Sequence, residues 1–312
     1  MHNKSDRREF IKGGIATTAA VLAGGPAHLF GSGEARAESL PDVVVCSGKA
    51  AAAITRSAVE ALGGMKRFVK QGARVVIKPN MSFDRAVGTG ANTNPNVVSE
   101  VARMCAEAGA ARISVLDYPL RDPRDCLRMS MIPALCRGIP NTYVNTIQSH
   151  RMFRPVKVKG GAHFSTMDVA SEVLDSDVLI AVPVGKTHSS AGVSLTMKGM
   201  MGLIWDRHSF HGRYNLDEAI VDMVTVLKPA LSVIDGTNIL STGGPGGPGK
   251  VIPLNLVVAS TDMVAADSQM VSLGTWYGRK FSGKNVRHIR LAAQRGLGRM
   301  DIEKLNVKKI RA

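Results

Sequence analysis

Two lysines and three histidines crowd the segment that follows a short apolar run. Val178–Val182 stops at Pro183; then come Lys186 and His188 of "GKTH", Lys198 of "SLTMKGMMG", and His208 and His211 of "RHSFH". Lysine supplies three donors and a compact positive charge, and histidine ligates metals or exchanges protons near neutral pH. Lys186, His188 and Lys198 are therefore the candidate catalytic groups, on a loop expected after the buried strand. His188, His208 and His211 are also candidate ligands for a divalent metal, since three imidazoles with an open position suit zinc, iron or nickel. On a helix, His208 and His211 would share a face. The HxxH spacing is also common by chance and equally suits a solvent-facing or capping role.

A second chemistry is anion binding. Lys78 and Asn80 of "KPN" could join Lys186 and Lys198 around a phosphate or carboxylate. Thr93 and Asn94 precede Pro95, which fits the first turn of a helix whose positive end would help. Asp117 and Asp235 end two further apolar runs. In "STGGPGGPGK", Gly243, Gly244 and Gly246 would let backbone approach a ligand closely, although an ordinary surface turn explains them equally well. That loop is neither a Walker nor a dinucleotide fingerprint. Met197, Met200 and Met201 read as core or pocket lining, with Trp205 a candidate wall of the same pocket. The GxSxG and HExxH motifs are absent, which argues against the two hydrolase classes that use them.

Short β-branched runs alternate with helical patterns and must position these groups. "DVVVCSG", "ARVVIKPN", "ARISVLDYP", "SDVLIAVPV", "ALSVIDG" and "LNLVVASTD" read as strands, largely apolar rather than alternating. Between and after them lie helices such as "NPNVVSEVARMCAEAGA" and "LDEAIVDMVTVLK". This order predicts an α/β fold with a mainly parallel or mixed central sheet flanked by helices in Rossmann-like layers. In such sheets ligands bind beyond the carboxyl ends of the strands, which is where the polar motifs fall. Asp262 of "STD" is equally well placed as a plain helix N-cap.

Several motifs in a fixed order make the chain recognisable. "VVIKPNM", "TNPNVVSEVARMCAEAGA", "KTH", "SLTMKGMMG", "VIDG", "GGPGGPG" and "VVASTDMVAADSQ" are followed by "HIRLAAQRGLGRMDIEKLNV". Together they resemble domain-of-unknown-function family 362, from about Val43 to Val307. The resemblance implies little chemistry. Some members are associated with iron–sulphur proteins because they carry clustered cysteines in a ferredoxin-like segment, and no such cluster occurs here. The usual Asn after the lysine of that motif is replaced, giving Lys198-Gly199, so any role of that Asn is not carried over.

Composition narrows the setting. Residues 1–37 read as a twin-arginine export signal: Arg7 and Arg8 in "DRREFIK", a short weakly apolar stretch, and an Ala35-x-Ala37 cleavage site. A single domain over 38–312 is expected to follow. The expectation is therefore a periplasmic protein, handed already folded to the twin-arginine translocase, without a transmembrane segment in the mature chain. Removing the five basic and three acidic residues of the signal leaves 35 against 22, a net charge of +13. With aromatics at 4% and an export address, the excess points away from nucleic acid and toward an anionic ligand or redox partner. Cys46, Cys105, Cys126 and Cys136 are widely spaced, so a cysteine-ligated iron–sulphur cluster is unsupported. Two readings follow: an enzyme acting on a small anionic substrate at the strand ends, or a non-catalytic protein that binds a cofactor or redox partner or serves in maturation.

Overall fold

The computed structural model describes residues 39–312; the export signal expected over residues 1–37 lies outside the described residues. One eleven-stranded sheet runs through the chain. Its main path is Val307–Arg311, Val43–Ser47, Leu256–Ser260, Leu231–Leu240, Val178–Val182, Arg74–Pro79, Arg112–Asp117 and Thr142–Thr146. Along that path Leu256–Ser260 alone runs against its neighbours, and the other pairings are parallel. The expected mainly parallel or mixed α/β sheet is what forms. A separate two-stranded sheet joins Phe153–Lys157 to Thr166–Ala170.

The strands read as continuous apolar runs because both faces are covered. Val75 and Ile77 enter one hydrophobic cluster while Val76 enters the other, and Val178, Ile180 and Val182 alternate likewise with Leu179 and Ala181. One face carries the helices Ala51–Ala61 and Pro95–Glu107, and the other carries Leu216–Val226, Met263–Leu273 and Arg287–Gln294.

Local chemistry sets the helix ends. Asn94 accepts the Asn96 amide at 3.0 Å, Pro95 occupies the first turn, and Gly109 at φ +91° stops the helix two residues past Glu107. Asp262 accepts from the amides of Val264 and Ala265 at 2.8 and 3.0 Å, so its N-cap role is real. All four cysteines are free and buried, with no cysteine cluster among the described residues. No described helix is long and apolar enough to cross a membrane.

"GKTH" is not the loop its proline suggested. Pro183 ends one strand, but its carbonyl accepts the Asp235 amide at 2.8 Å, and a second strand, Val184–His188, begins at once. That strand runs parallel to Leu231–Leu240 and antiparallel to Gly192–Ser194. Strand periodicity then puts Lys186 and His188 on one face, with Thr187 on the other.

Candidate functional site

The carboxyl ends of the strands close around a cavity of about 350 Å³. Lys78 and Asp117 reach it from the ends of neighbouring parallel strands, and Asn80 from the turn beyond the first. Lys186 and His188 come from the strand after Pro183. Lys198 projects from the helical turn Thr196–Gly199, and Arg207, His208 and His211 from the helix Arg207–Gly212. Eight of the candidate catalytic, binding and metal residues therefore share one cavity with Met201, which was expected as core or pocket lining, and with Ser82, Phe83 and Arg207.

Charge is unevenly matched there. Among the described residues Asp117 is the one carboxylate lining the cavity, and it ion-pairs with Lys78 at 3.0 Å. The same carboxylate accepts from the Met81 amide at 2.9 Å, the Ser82 hydroxyl at 2.7 Å and the Tyr118 amide at 2.9 Å, so its lone pairs are used up. Gly202 sits against this pair, and a Cβ there would overlap Asp117 Oδ1 and Lys78 Cε.

The other three cations have only neutral partners. Lys186 Nζ donates to the Ala91 carbonyl at 2.6 Å and lies 4.9 Å from the centre of the Phe83 ring. Arg207 donates to the carbonyls of Tyr118 and Pro119 at 2.7 and 3.2 Å and stacks on the Tyr118 ring. Lys198 Nζ sits 3.5 Å from His211 Nε2. Burial pushes Lys186 down to about 7 despite Asp117, with Lys78 and Lys198 adding repulsion. Burial and the Arg207 charge push Lys198 down to about 7. Lys78 and Arg207 are lowered as well, chiefly by burial.

The histidines do not assemble as a three-ligand metal set. Among the described residues no three His, Cys, Asp or Glu side chains are placed to hold a metal ion together. The rings of His188 and His211 approach to 5.5 Å between centres, but their polarities differ. His188 Nδ1 accepts from the amides of Ser190 and Ala191 at 3.3 and 3.2 Å, so in the neutral ring Nε2 carries the proton and cannot ligate. Burial and the surrounding cations push His188 down to about 3, which keeps it neutral. His211 Nδ1 instead meets the Arg207 carbonyl at 3.1 Å and must donate, which leaves Nε2 with a free lone pair. His208 lines the cavity one turn away.

Other expected binding residues are used up holding the walls. Thr93 Oγ1 accepts from the Asn80 amide and donates to the Val182 carbonyl, both at 2.8 Å. The Asn94 amide donates to Asp235 Oδ2 at 2.8 Å, and Asp235 Oδ1 accepts from the Thr237 amide and hydroxyl at 2.8 and 2.7 Å. Thr93, Asn94 and Asp235 therefore stand behind the cavity. Pro245 of the glycine-rich loop reaches it, whereas Gly243, Gly244 and Gly246 are not part of its lining. Gly244 packs on Thr187, and Gly246 packs on Phe83 with its carbonyl accepting from Arg85 Nε at 3.1 Å. Trp205 stacks on Tyr118, the ring that carries Arg207, rather than forming a wall.

Two residues that build the cavity escaped the sequence reading. Arg207 opens "RHSFH", where the imidazoles drew the attention. Asp267 lies mid-helix in "AADSQ", yet it accepts the amides of Thr196 and Met197 at 2.8 and 3.0 Å and so fixes the turn that carries Lys198.

Several known proteins resemble this chain. It is 29% identical over 231 residues to a thylakoid-associated protein of Synechocystis sp.; the match covers 68% of this chain and 66%, just under two thirds, of that protein. The lactate racemase apoprotein from Thermoanaerobacterium thermosaccharolyticum has a TM-score of 0.47 and 13% identity, over 74% of this chain and 57% of that one. A protein from Thermotoga maritima has a TM-score of 0.44 and 14% identity, over 80% of this chain and 60% of that one. The family model for the domain of unknown function DUF362 matches residues 75–272, most of the sheet and every cavity residue described above, and the chain belongs to that family.

Proposed function

We propose that this protein binds a small carboxylate- or phosphate-bearing molecule in the strand-end cavity and acts on it by proton transfer. One observation carries the reading: among the described residues, Lys186 and Lys198 are buried and Arg207 half-buried beside them without a carboxylate partner, while Asp117 is committed to Lys78 and to backbone amides. Buried charge without a counter-ion is costly, and an anionic ligand supplies the missing charge. Lys186, Lys198 and Arg207 stabilise negative charge that develops on the ligand. His211 Nε2, with its lone pair free, takes a proton, and the neutral His188 offers its Nε2–H as a hydrogen-bond donor to the ligand.

Thermal melts with inorganic phosphate, acetate, malonate and citrate test the binding step. At least one anion is expected to raise the melting temperature in a concentration-dependent way, and Lys186→Ala with Lys198→Ala to abolish the rise. An equal rise in the doubly substituted protein would sink the reading. A ligand that is bound and released unchanged would instead favour the non-catalytic carrier. Export through the twin-arginine translocase to the periplasm belongs to the same proposal, supported by Arg7 and Arg8. Cell fractionation of an Arg7→Lys, Arg8→Lys variant checks it, with retention in the cytoplasm expected.

A further inference from the structure

We infer that Lys198 is a nucleophilic amine that forms an imine with a small aldehyde or ketone bearing a carboxylate or phosphate, an inference that rests on the anion site proposed above. The three lysines of the cavity differ in what holds their nitrogens. Lys78 Nζ donates to the Pro79 carbonyl at 2.5 Å and pairs with Asp117 at 3.0 Å. Lys186 Nζ is held by the Ala91 carbonyl at 2.6 Å. Carbonyl and carboxylate acceptors fix an amine as a hydrogen donor. Lys198 Nζ, on a residue only 7% exposed, has a different neighbour: the imidazole nitrogen His211 Nε2 at 3.5 Å.

That neighbour suits nucleophilic attack. His211 Nδ1–H is given to the Arg207 carbonyl, so Nε2 holds a lone pair facing the amine and can take its proton. Burial beside Arg207 favours the neutral amine in the same direction. The mount is rigid, because the buried Asp267 carboxylate ties down the Thr196 and Met197 amides immediately before Lys198. Lys186 and Arg207 remain to hold the ligand's anionic group and to stabilise the oxygen as it gains charge.

The step balances without a further reactant. The Lys198 nitrogen pair attacks the carbonyl carbon, and the C=O π pair moves to oxygen. A proton leaves nitrogen by way of His211 Nε2 and reaches that oxygen, giving a carbinolamine. Loss of the hydroxyl with the second nitrogen-bound hydrogen as water leaves the C=N bond; nothing is oxidised or reduced.

Reductive trapping tests the step. The whole protein is incubated at neutral pH with glyoxylate, and separately with pyruvate, under limiting cyanoborohydride, then mapped by peptide mass spectrometry. One stoichiometric adduct is expected on Lys198, suppressed by the anion that raised the melting temperature. It should be lost in Lys198→Arg, which keeps the charge, and in Lys198→Met, should the arginine fail to fold. His211→Gln should slow adduct formation by about tenfold or more, as for loss of a proton acceptor. Adducts on Lys186, or spread over exposed lysines, would overturn the assignment. So would absence of an adduct in a protein that an anion still stabilises, in which case the anion site stands. If no anion stabilises the protein and no adduct forms, both readings fall.

Discussion

Two polar clusters meet at Asn80, one around Asp235 within the strand Leu231–Leu240 and one in the cavity, and they solve burial in opposite ways. Around Asp235 the polar atoms answer one another: Asn94 and Thr237 donate to its carboxylate, Thr93 links Asn80 to Val182, and Asn80 Oδ1 accepts the Val184 amide at 3.0 Å. In the cavity, Lys186, Lys198 and Arg207 share carbonyls and an imidazole but no carboxylate. The first cluster is closed within the chain, and the second is completed only by something from outside. Identical residue types thus become scaffold or site according to whether donors and acceptors balance locally.

The largest expected effect breaks the closed cluster. Asp235→Ala strips partners from the half-buried Asn94 amide and from the buried Thr237 amide and hydroxyl, and should cost about 4 kcal/mol of stability, measured by urea unfolding. A loss below about 1 kcal/mol would show that the cluster is not the scaffold described here. The open cluster should behave in the reverse manner. Lys186→Met should weaken binding of the stabilising anion by about 100-fold, read by calorimetric titration, while the fold survives. Unchanged affinity would remove Lys186 from the binding site.

The contrast also explains what the sequence could and could not reveal. The sheet was legible because both-face burial leaves unbroken apolar runs with helical patterns between them, and the rule for strand ends then pointed to Lys78, Asn80, Asp117, Lys186, His188 and Lys198. Partner choice was not legible. Asp235 and Asp117 both close apolar runs in the sequence, but Asp117 ends its strand whereas Asp235 lies midway along Leu231–Leu240, answered by amides 141 and two residues away, and Asp117 is answered by Lys78 as well. "GKTH" looked like a loop because proline ends a ladder, and nothing local shows that pairing resumes with Gly192–Ser194. The histidines suggested a metal because spacing counts nitrogens and says nothing of which one holds a proton. Asp267 was invisible because its contact with Thr196 crosses 71 positions.

Proton linkage sharpens the comparison further. Lys186 and Lys198 are each pushed down to about 7, and a bound anion favours their charged forms. Affinity should therefore fall as pH rises, by about tenfold between pH 7 and pH 8, as the two amines lose protons that the complex needs. Affinity flat across that interval would mean that the lysines are already neutralised within the fold.

The smallest expected effect separates cost from function at one atom. At pH 7 the free amine of an unfolded chain, with a pKa of about 10.4, is protonated, whereas folding buries Lys198 where its charged form is disfavoured. The unfolded state thus binds more protons, and the lysine subtracts from stability at this pH. Lys198→Met keeps the bulk and removes the charge, so the ligand-free protein should gain about 1 kcal/mol, seen as a higher urea midpoint. The gain should shrink as pH climbs, and the penalty vanishes only above about 10.4, where the lysine is neutral in both states. Adding the anion should reverse the ranking at pH 7, because the parent protein, with Lys198 as well as Lys186 and Arg207, binds it more tightly. A Lys198→Met protein less stable than its parent without ligand would show that Lys198 is balanced from within, as Asp235 is.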